Sequence, residues 1–196
     1  NGAVWTEVND LNDARRDLAS AGTATSALAF GGFADPSVGN RATTESWNGS
    51  SWTEVNDLNT PRRTPGGTGA SNTAALCFGG FRDPPPGAIA FTENWNGSSW
   101  TEVNDLNRAD NSAAGAGTNT AALSIGGSPS SESIPQSWNG TNWSNENNLN
   151  TGRSSLAAGG TTTAAIAFGG NPPNSVLTEL WNGTGLVTQT VTTTED

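Results

Sequence analysis

Apolar residues in this chain come in short runs rather than at helical spacing. Four runs close on paired glycines: Phe30-Gly31-Gly32, Phe78-Gly79-Gly80, Ile125-Gly126-Gly127 and Phe168-Gly169-Gly170. Gly, Pro, Asn, Ser and Thr interrupt every window long enough to carry a 3.6-residue apolar stripe. The pattern predicts strands only. In the first unit these are an Ala/Gly/Thr stretch at Leu18 to Thr23, an apolar strand at Ser26 to Phe30, and strands at Arg41 to Trp47 and Ser51 to Asn56, with turn residues between them.

The same order returns along the chain. Trp47-Asn48-Gly49-Ser50-Ser51-Trp52 recurs as Trp95 to Trp100 and Trp138 to Trp143, and a fourth copy at Trp181 has Leu186 in place of the second tryptophan. The steps from Trp47 are 48, 43 and 43 residues. Thr-Glu-Val-Asn-Asp-Leu-Asn follows at 6 to 12, 53 to 59 and 101 to 107, in degenerate form at 144 to 150, and then a loop with Arg15-Arg16, Arg62-Arg63, Arg108 or Arg153. A period of this size marks a solenoid or a propeller.

Asn-Gly between two strands fits a two-residue type I′ hairpin turn. With Asn48-Gly49 as the turn, Trp47 faces Ser50 and Glu45 faces Trp52, which sets the two tryptophans diagonally on one face. The same arithmetic sets Glu93 opposite Trp100, Gln136 opposite Trp143 and Glu179 opposite Leu186. The expected repeat core is therefore aromatic: Trp5, Trp47, Trp52, Trp95, Trp100, Trp138, Trp143 and Trp181.

An apolar run ending in Gly-Gly, an acid just before an aromatic, a turn, a tryptophan about six residues on and an Arg-containing loop resemble the kelch-type β-propeller repeat. Phe78-Gly79-Gly80, Glu93, Trp95, Trp100 and Arg62-Arg63 carry the resemblance, which covers essentially the whole chain. It implies an all-β, small propeller of four four-stranded blades, residues 1–185, with units at about 1–47, 48–95, 96–138 and 139–185. The chain departs from the family in having Trp where Tyr is usual, polar inner strands, and four units where six or seven are typical; four blades are physically allowed. The repeated wording is also similar to kelch-like arrays in structural proteins of marine bacteriophages and in bacterial surface proteins.

The chain opens on an outer strand, Ala3 to Val8, before any complete unit. We expect this strand to pair near Ser175 to Trp181 and close the ring. Residues 186–196 then form a tail, with Leu186, Val187 and Val191 as its apolar residues, that is a linker or adds to a neighbouring subunit.

Composition narrows the chemistry. The net charge is −10, the eight positive residues are all Arg, and Lys, Met, Tyr and His are absent. Such a balance lacks the basic footprint of nucleic-acid binding. No apolar run is long enough for a membrane span. A chain beginning at Asn1 with no Met reads as a processed or excised piece of something longer. Cys77 occupies a slot held elsewhere by Ala29, Leu123 and Ala167, which points to a buried small residue.

No nucleophile and base pair is in evidence, and Glu54 with Asp57 and Glu102 with Asp105 belong to the repeat, so no catalytic residues are expected. Asp10, Asp57 and Asp105 with neighbouring Asn are oxygen ligands of the kind Ca²⁺ takes, a weak metal reading without EF-hand spacing. Sequons at Asn48, Asn96, Asn139, Asn142 and Asn182 mostly coincide with turns. The expected function is a non-enzymatic structural or adhesive module, extracellular, on a cell surface or on a virion, that self-associates or joins other structural proteins in a fibre. The alternative is a lectin-like propeller whose tryptophans stack on surface glycans.

Overall fold

The computed structural model describes residues 4–129, 134–171 and 175–183. These residues contain strands and no helix, and the strands form four antiparallel sheets arranged as the blades of a four-blade β-propeller. Blade 1 comprises β1 (Ala19–Thr23), β2 (Ser26–Phe30), β3 (Thr44–Trp47) and β4 (Trp52–Val55). Blade 2 comprises β5 (Gly66–Ser71), β6 (Ala74–Phe78), β9 (Thr92–Trp95) and β10 (Trp100–Val103), with a small hairpin, β7 (Phe81–Arg82) and β8 (Gly87–Ala88), inserted between β6 and β9. Blade 3 comprises β11 (Ala114–Gly117), β12 (Ala122–Ile125), β13 (Gln136–Trp138) and β14 (Trp143–Asn145). Blade 4 has three described strands, β15 (Ala157–Gly160), β16 (Ala165–Phe168) and β17 (Thr178–Trp181).

The first strands of successive blades touch one another in the series β1, β5, β11, β15. This contact explains their Ala/Gly composition. A Cβ added at Gly115 of β11 would lie 2.2 Å from the Gly67 carbonyl oxygen of β5, so the backbones meet with no room for a side chain. Large residues are displaced to the next two strands, and Leu28, Phe30, Leu76, Phe78, Trp95 and Leu123 are almost wholly removed from solvent.

The hairpin register differs from the two-residue expectation. Trp47 pairs directly with Trp52, and Glu45 pairs with Glu54 rather than with Trp52. Trp95 with Trp100 and Trp138 with Trp143 repeat the pairing, while Glu93 faces Glu102 and Gln136 faces Asn145. The loop therefore has four residues. Asn48 Oδ1 accepts the amides of Ser50 and Ser51 at 2.9 and 3.0 Å, while Gly49 alone takes positive φ at +95°. Asn works here through its side chain, as an Asx turn, and not through a left-handed backbone. The expected Glu179–Leu186 pairing lies outside the described residues.

Closure by the N-terminal strand is not seen among the described residues. Val4 to Val8 form no strand with blade 4, and Trp5 is 104% exposed. Among the described residues β17 pairs only with β16, and β15 makes no substantial contact with β1. The predicted tail residues Leu186, Val187 and Val191 lie outside the described residues.

Candidate functional site

The most regular chemistry of the repeat sits where one blade meets the next. After β4 leaves blade 1, Asn56 Nδ2 donates to the Ser98 carbonyl at the hairpin tip of blade 2. Asp57 Oδ1 turns back to accept the Thr44 amide of its own blade at 3.1 Å, and Leu58 is buried with its amide on the Ala42 carbonyl. Asn59 then donates both its backbone amide, at 2.7 Å, and its side chain to the Glu93 carboxylate of blade 2. The strand-plus-Asn-Asp-Leu-Asn wording is thus a linker that alternates between the blade behind it and the blade ahead.

The same link precedes every blade. The amides of Asn12, Asn59, Asn107 and Asn150 donate to Glu45, Glu93, Gln136 and Glu179 at 2.7 to 2.8 Å. Arg15 pairs with Glu45, Arg62 with Glu93 and Arg153 with Glu179. The side chain of Arg62 is fully buried and also donates to the carbonyls of Gly79 and Phe91, so the buried charge is surrounded by acceptors. At Glu45 burial is the largest influence and would raise the carboxyl pKa, but Arg15 and the donors of Asn12 and Asp13 together outweigh it and hold the group below its ordinary value.

Unit 3 carries a compensated swap that the sequence reading missed. The slot of Arg15, Arg62 and Arg153 is held there by Asp110, while Arg108 lies two residues earlier. The two pair at 2.8 Å, and the acceptor that would have faced an arginine is the neutral Gln136. Burial pushes the Asp110 carboxyl up, with Arg108 opposing it. Gln136 in place of Glu was the available signal: an uncharged residue at that position removes the need for a buried guanidinium.

The predicted tryptophans divide into three groups. Trp47, Trp95, Trp138 and Trp181 donate Nε1 to the carbonyls of Ala24, Asn72, Asn119 and Thr162, capping the inner hairpin of their own blade. Trp100 and Trp143 cross to the preceding blade. Their rings meet Phe30 and Phe78 edge-on at 4.9 and 5.1 Å, and their Nε1 atoms donate to Thr44 and Thr92. Trp52 and Trp5 belong to the same outer position but have no blade over them; Trp52 is half-buried against Trp47 and Trp5 is bare.

Backbone bonds run along the axis beside these side chains. Asp17, Thr64, Ser112 and Ser155 occupy one repeat position, all with φ between 49° and 58°. Thr64 N donates to Asp17 O, Ser112 N to Thr64 O and Ser155 N to Ser112 O, at 2.7, 2.9 and 2.9 Å. Such backbone geometry is costly for a non-glycine residue, and the inter-blade hydrogen bond holds each one in it. The Gly-Gly pairs serve the same joint: the amides of Gly32, Gly80 and Gly127 donate to the carbonyls of Arg62, Asp110 and Arg153 in the following blade.

Other predicted chemistry is absorbed by structure. Asp105 Oδ1 accepts the Thr92 amide as Asp57 accepts that of Thr44, and Asp10 is exposed. Among the described residues no group of three or more His, Cys, Asp or Glu is placed to hold a metal. Cys77 is buried, and burial pushes its thiol up to about 12. No described helix is long and apolar enough to cross a membrane.

What remains open is at blade 4. A hollow of about 270 Å³ lies against β17, lined by Leu123, Ile125, Pro135, Ala165 and Trp181 among others. Of the nine exposed large apolar residues described, all but Val38 lie either in Val4 to Val8 or in blade 4, where Phe168 is 45% exposed although Phe30 and Phe78 are fully buried. Against protein-family models and against curated proteins the chain finds no match.

Proposed function

We propose that the chain is a non-catalytic structural or adhesive module built from kelch-like repeats, working outside the cell or on a virion. One observation carries this reading: Asn59, whose slot is Asn in every unit, and the recurring Arg62, Glu93 and Trp100 of blade 2 are spent on joining blades. A repeat whose best-kept chemistry faces its own neighbours resembles an architectural element more than a ligand platform. The marine phage and bacterial surface arrays with similar wording fit the same role, as does an acidic, lysine-free composition. The partners in this reading are other copies or other structural proteins, and no cofactor is required.

A lectin-like reading has one observation in its favour, the exposed indole of Trp5 close in sequence to polar Asn and Glu side chains. A glycan array separates the two. The structural reading expects no sugar-dependent binding by the full chain, whereas binding that a competing free sugar abolishes, and that Trp5→Ala removes, would establish the lectin.

A further inference from the structure

The two ends of the row of blades carry complementary halves of the joint that the chain makes three times internally. On blade 4, Gly169 has open space where its counterparts are crowded: an added Cβ would meet nothing nearer than 3.9 Å, against 2.4 Å at Gly79 and 2.5 Å at Gly126, where the following blade presses in. Phe168 stands exposed where Phe30 and Phe78 are covered by the outer tryptophan of the next blade. Thr178 holds the position of Thr44 and Thr92, whose hydroxyls receive that tryptophan's N–H. On blade 1, the matching outer tryptophan is Trp52, half-buried and with no phenylalanine over it. The axial series of amides ends in the same way, with the Ser155 carbonyl at one end and the Asp17 amide at the other, and neither has a partner among the described residues.

An edge that is unpaired among the described residues completes the match. Every internal blade ends in Trp-Thr-Glu-Val or its variant, immediately followed by the Asn link that docks on the next blade. The N-terminal segment Trp5-Thr6-Glu7-Val8 has this wording, and its following link is already in place on blade 1, with Asn9 on the Ser50 carbonyl and Asn12 on Glu45. Among the described residues Val4 to Val8 therefore carry the wording of an outer strand but pair with no blade, and the β17 edge of blade 4 pairs with no outer strand.

We propose that the Val4–Val8 segment of a second copy of this chain adds to β17, places Trp5 in the hollow beside Trp181, and joins blade 1 of that copy to blade 4 of this one, head to tail. The register of the other three hairpins sets Trp5 opposite Trp181, Thr6 opposite Leu180, Glu7 opposite Glu179 and Val8 opposite Thr178. Apolar hollows of roughly 150 Å³ accept a benzene ring, so the space at β17, about 270 Å³, has room for an indole. Ile125, which lines it, is the blade 3 counterpart of Phe30 and Phe78 and would receive Trp5 as they receive Trp100 and Trp143. Two residues depart from the internal joints: Ile125 replaces the phenylalanine, and Pro135 stands where Thr44 and Thr92 stand, so the Trp5 N–H loses that acceptor. A second copy is favoured over the chain's own segment because no strand of blade 1 makes a substantial contact with a strand of blade 4 and Val4 to Val8 are exposed and unpaired. The two partners use different surfaces, so the contact is heterologous and leaves one copy's blade 4 and the other copy's blade 1 open to a further copy, the geometry of a filament.

The proposal deepens the structural reading and rests on it, and its test is independent of glycan binding. Thr6→Cys and Leu180→Cys, both at exposed or edge positions, are made singly and together in the full chain, with circular dichroism confirming the fold; the native Cys77 is buried. Oxidising an equimolar mixture of the two single variants should give disulfide-linked dimers that neither gives alone, and the double variant should give a ladder of multimers that lengthens with concentration. Trp5→Ala should reduce the cross-linked fraction about tenfold or more, as expected for removing a central aromatic anchor. A double variant that yields only internally cross-linked monomer would overturn the proposal in favour of ring closure by the chain's own strand. Absence of any Thr6–Leu180 cross-link would show that this segment does not complete blade 4.

Discussion

At the scale of single residues, the joint between blades is decided by a few buried groups whose loss has different signatures. Trp100 is buried between blades, so Trp100→Ala should cost roughly 3–5 kcal/mol in urea unfolding. Trp52, half-buried against Trp47, should cost about 1–2 kcal/mol in the isolated molecule. Glu45 provides a pH signature. Its folded pKa lies below the ordinary 4.5, so its contribution is complete above about pH 4.5 and is lost as the pH falls through the folded value. Stability followed by urea unfolding from pH 6 to 3 should therefore decline less steeply in Glu45→Gln than in the parent, while the variant is less stable at pH 6. Trp5, whose exposure was not expected from its wording, shows the limit at this scale: the residue is the same as Trp52 or Trp100, and only a neighbour decides whether it is core.

At the scale of elements, the Gly-Gly turn that ends each second strand is required by the approach of another blade as well as by its backbone conformation. Gly126 and Gly169 separate the two causes. Both have φ near +71°, but an added Cβ lies 2.5 Å from the Arg153 carbonyl at the first and 3.9 Å from the nearest atom at the second. Gly126→Ala should be more destabilising than Gly169→Ala by about 1–3 kcal/mol, the excess expected for overpacking beyond the shared backbone strain. Equal losses in denaturant titrations would mean that conformation alone explains the glycines. The hairpin loop illustrates what propensity leaves open. Asn-Gly identifies a turn correctly, yet the two-residue and four-residue loops differ in whether Asn bends by backbone or accepts amides through Oδ1, and that choice moved the tryptophans from diagonal to directly opposed.

At the scale of the whole molecule, stability comes from a series of nearest-neighbour joints, so the end blades should loosen first. Amide exchange should be slowest in β5, β6 and β9 of blade 2, which is covered on both sides, and fastest in β15 to β17. Uniform protection across the four blades would contradict this. A chelator should leave the Tm unchanged within about 1 °C, because Asp57 and Asp105 hold backbone amides of their own blades and do not converge on a common point. A large fall in Tm would restore the calcium reading of Asp10, Asp57 and Asp105.

What the sequence determined by itself is the unit: its strands, its period, its Gly-Gly positions and the all-β class, with the propeller implied by the resemblance to kelch-type repeats. These follow from local causes, since turn residues, β-propensity and the spacing of apolar runs act within one blade and repeat with it. What only the tertiary structure decided is the direction of each side chain's commitment. Asn56 and Asn59 bind forward to the next blade while Asp57, between them, binds back to its own, and no spacing rule distinguishes them. The exchange of Arg for Asp110 is intelligible only beside Gln136, some 26 residues away in sequence and adjacent through the fold. The ends of the row are likewise invisible in a periodic sequence. A repeat specifies the contact that each blade makes with its neighbour, but the energy of that contact exists only where a neighbour is present, and among the described residues it is the three-dimensional arrangement that leaves Trp5 and Phe168 exposed and one edge of β17 unpaired.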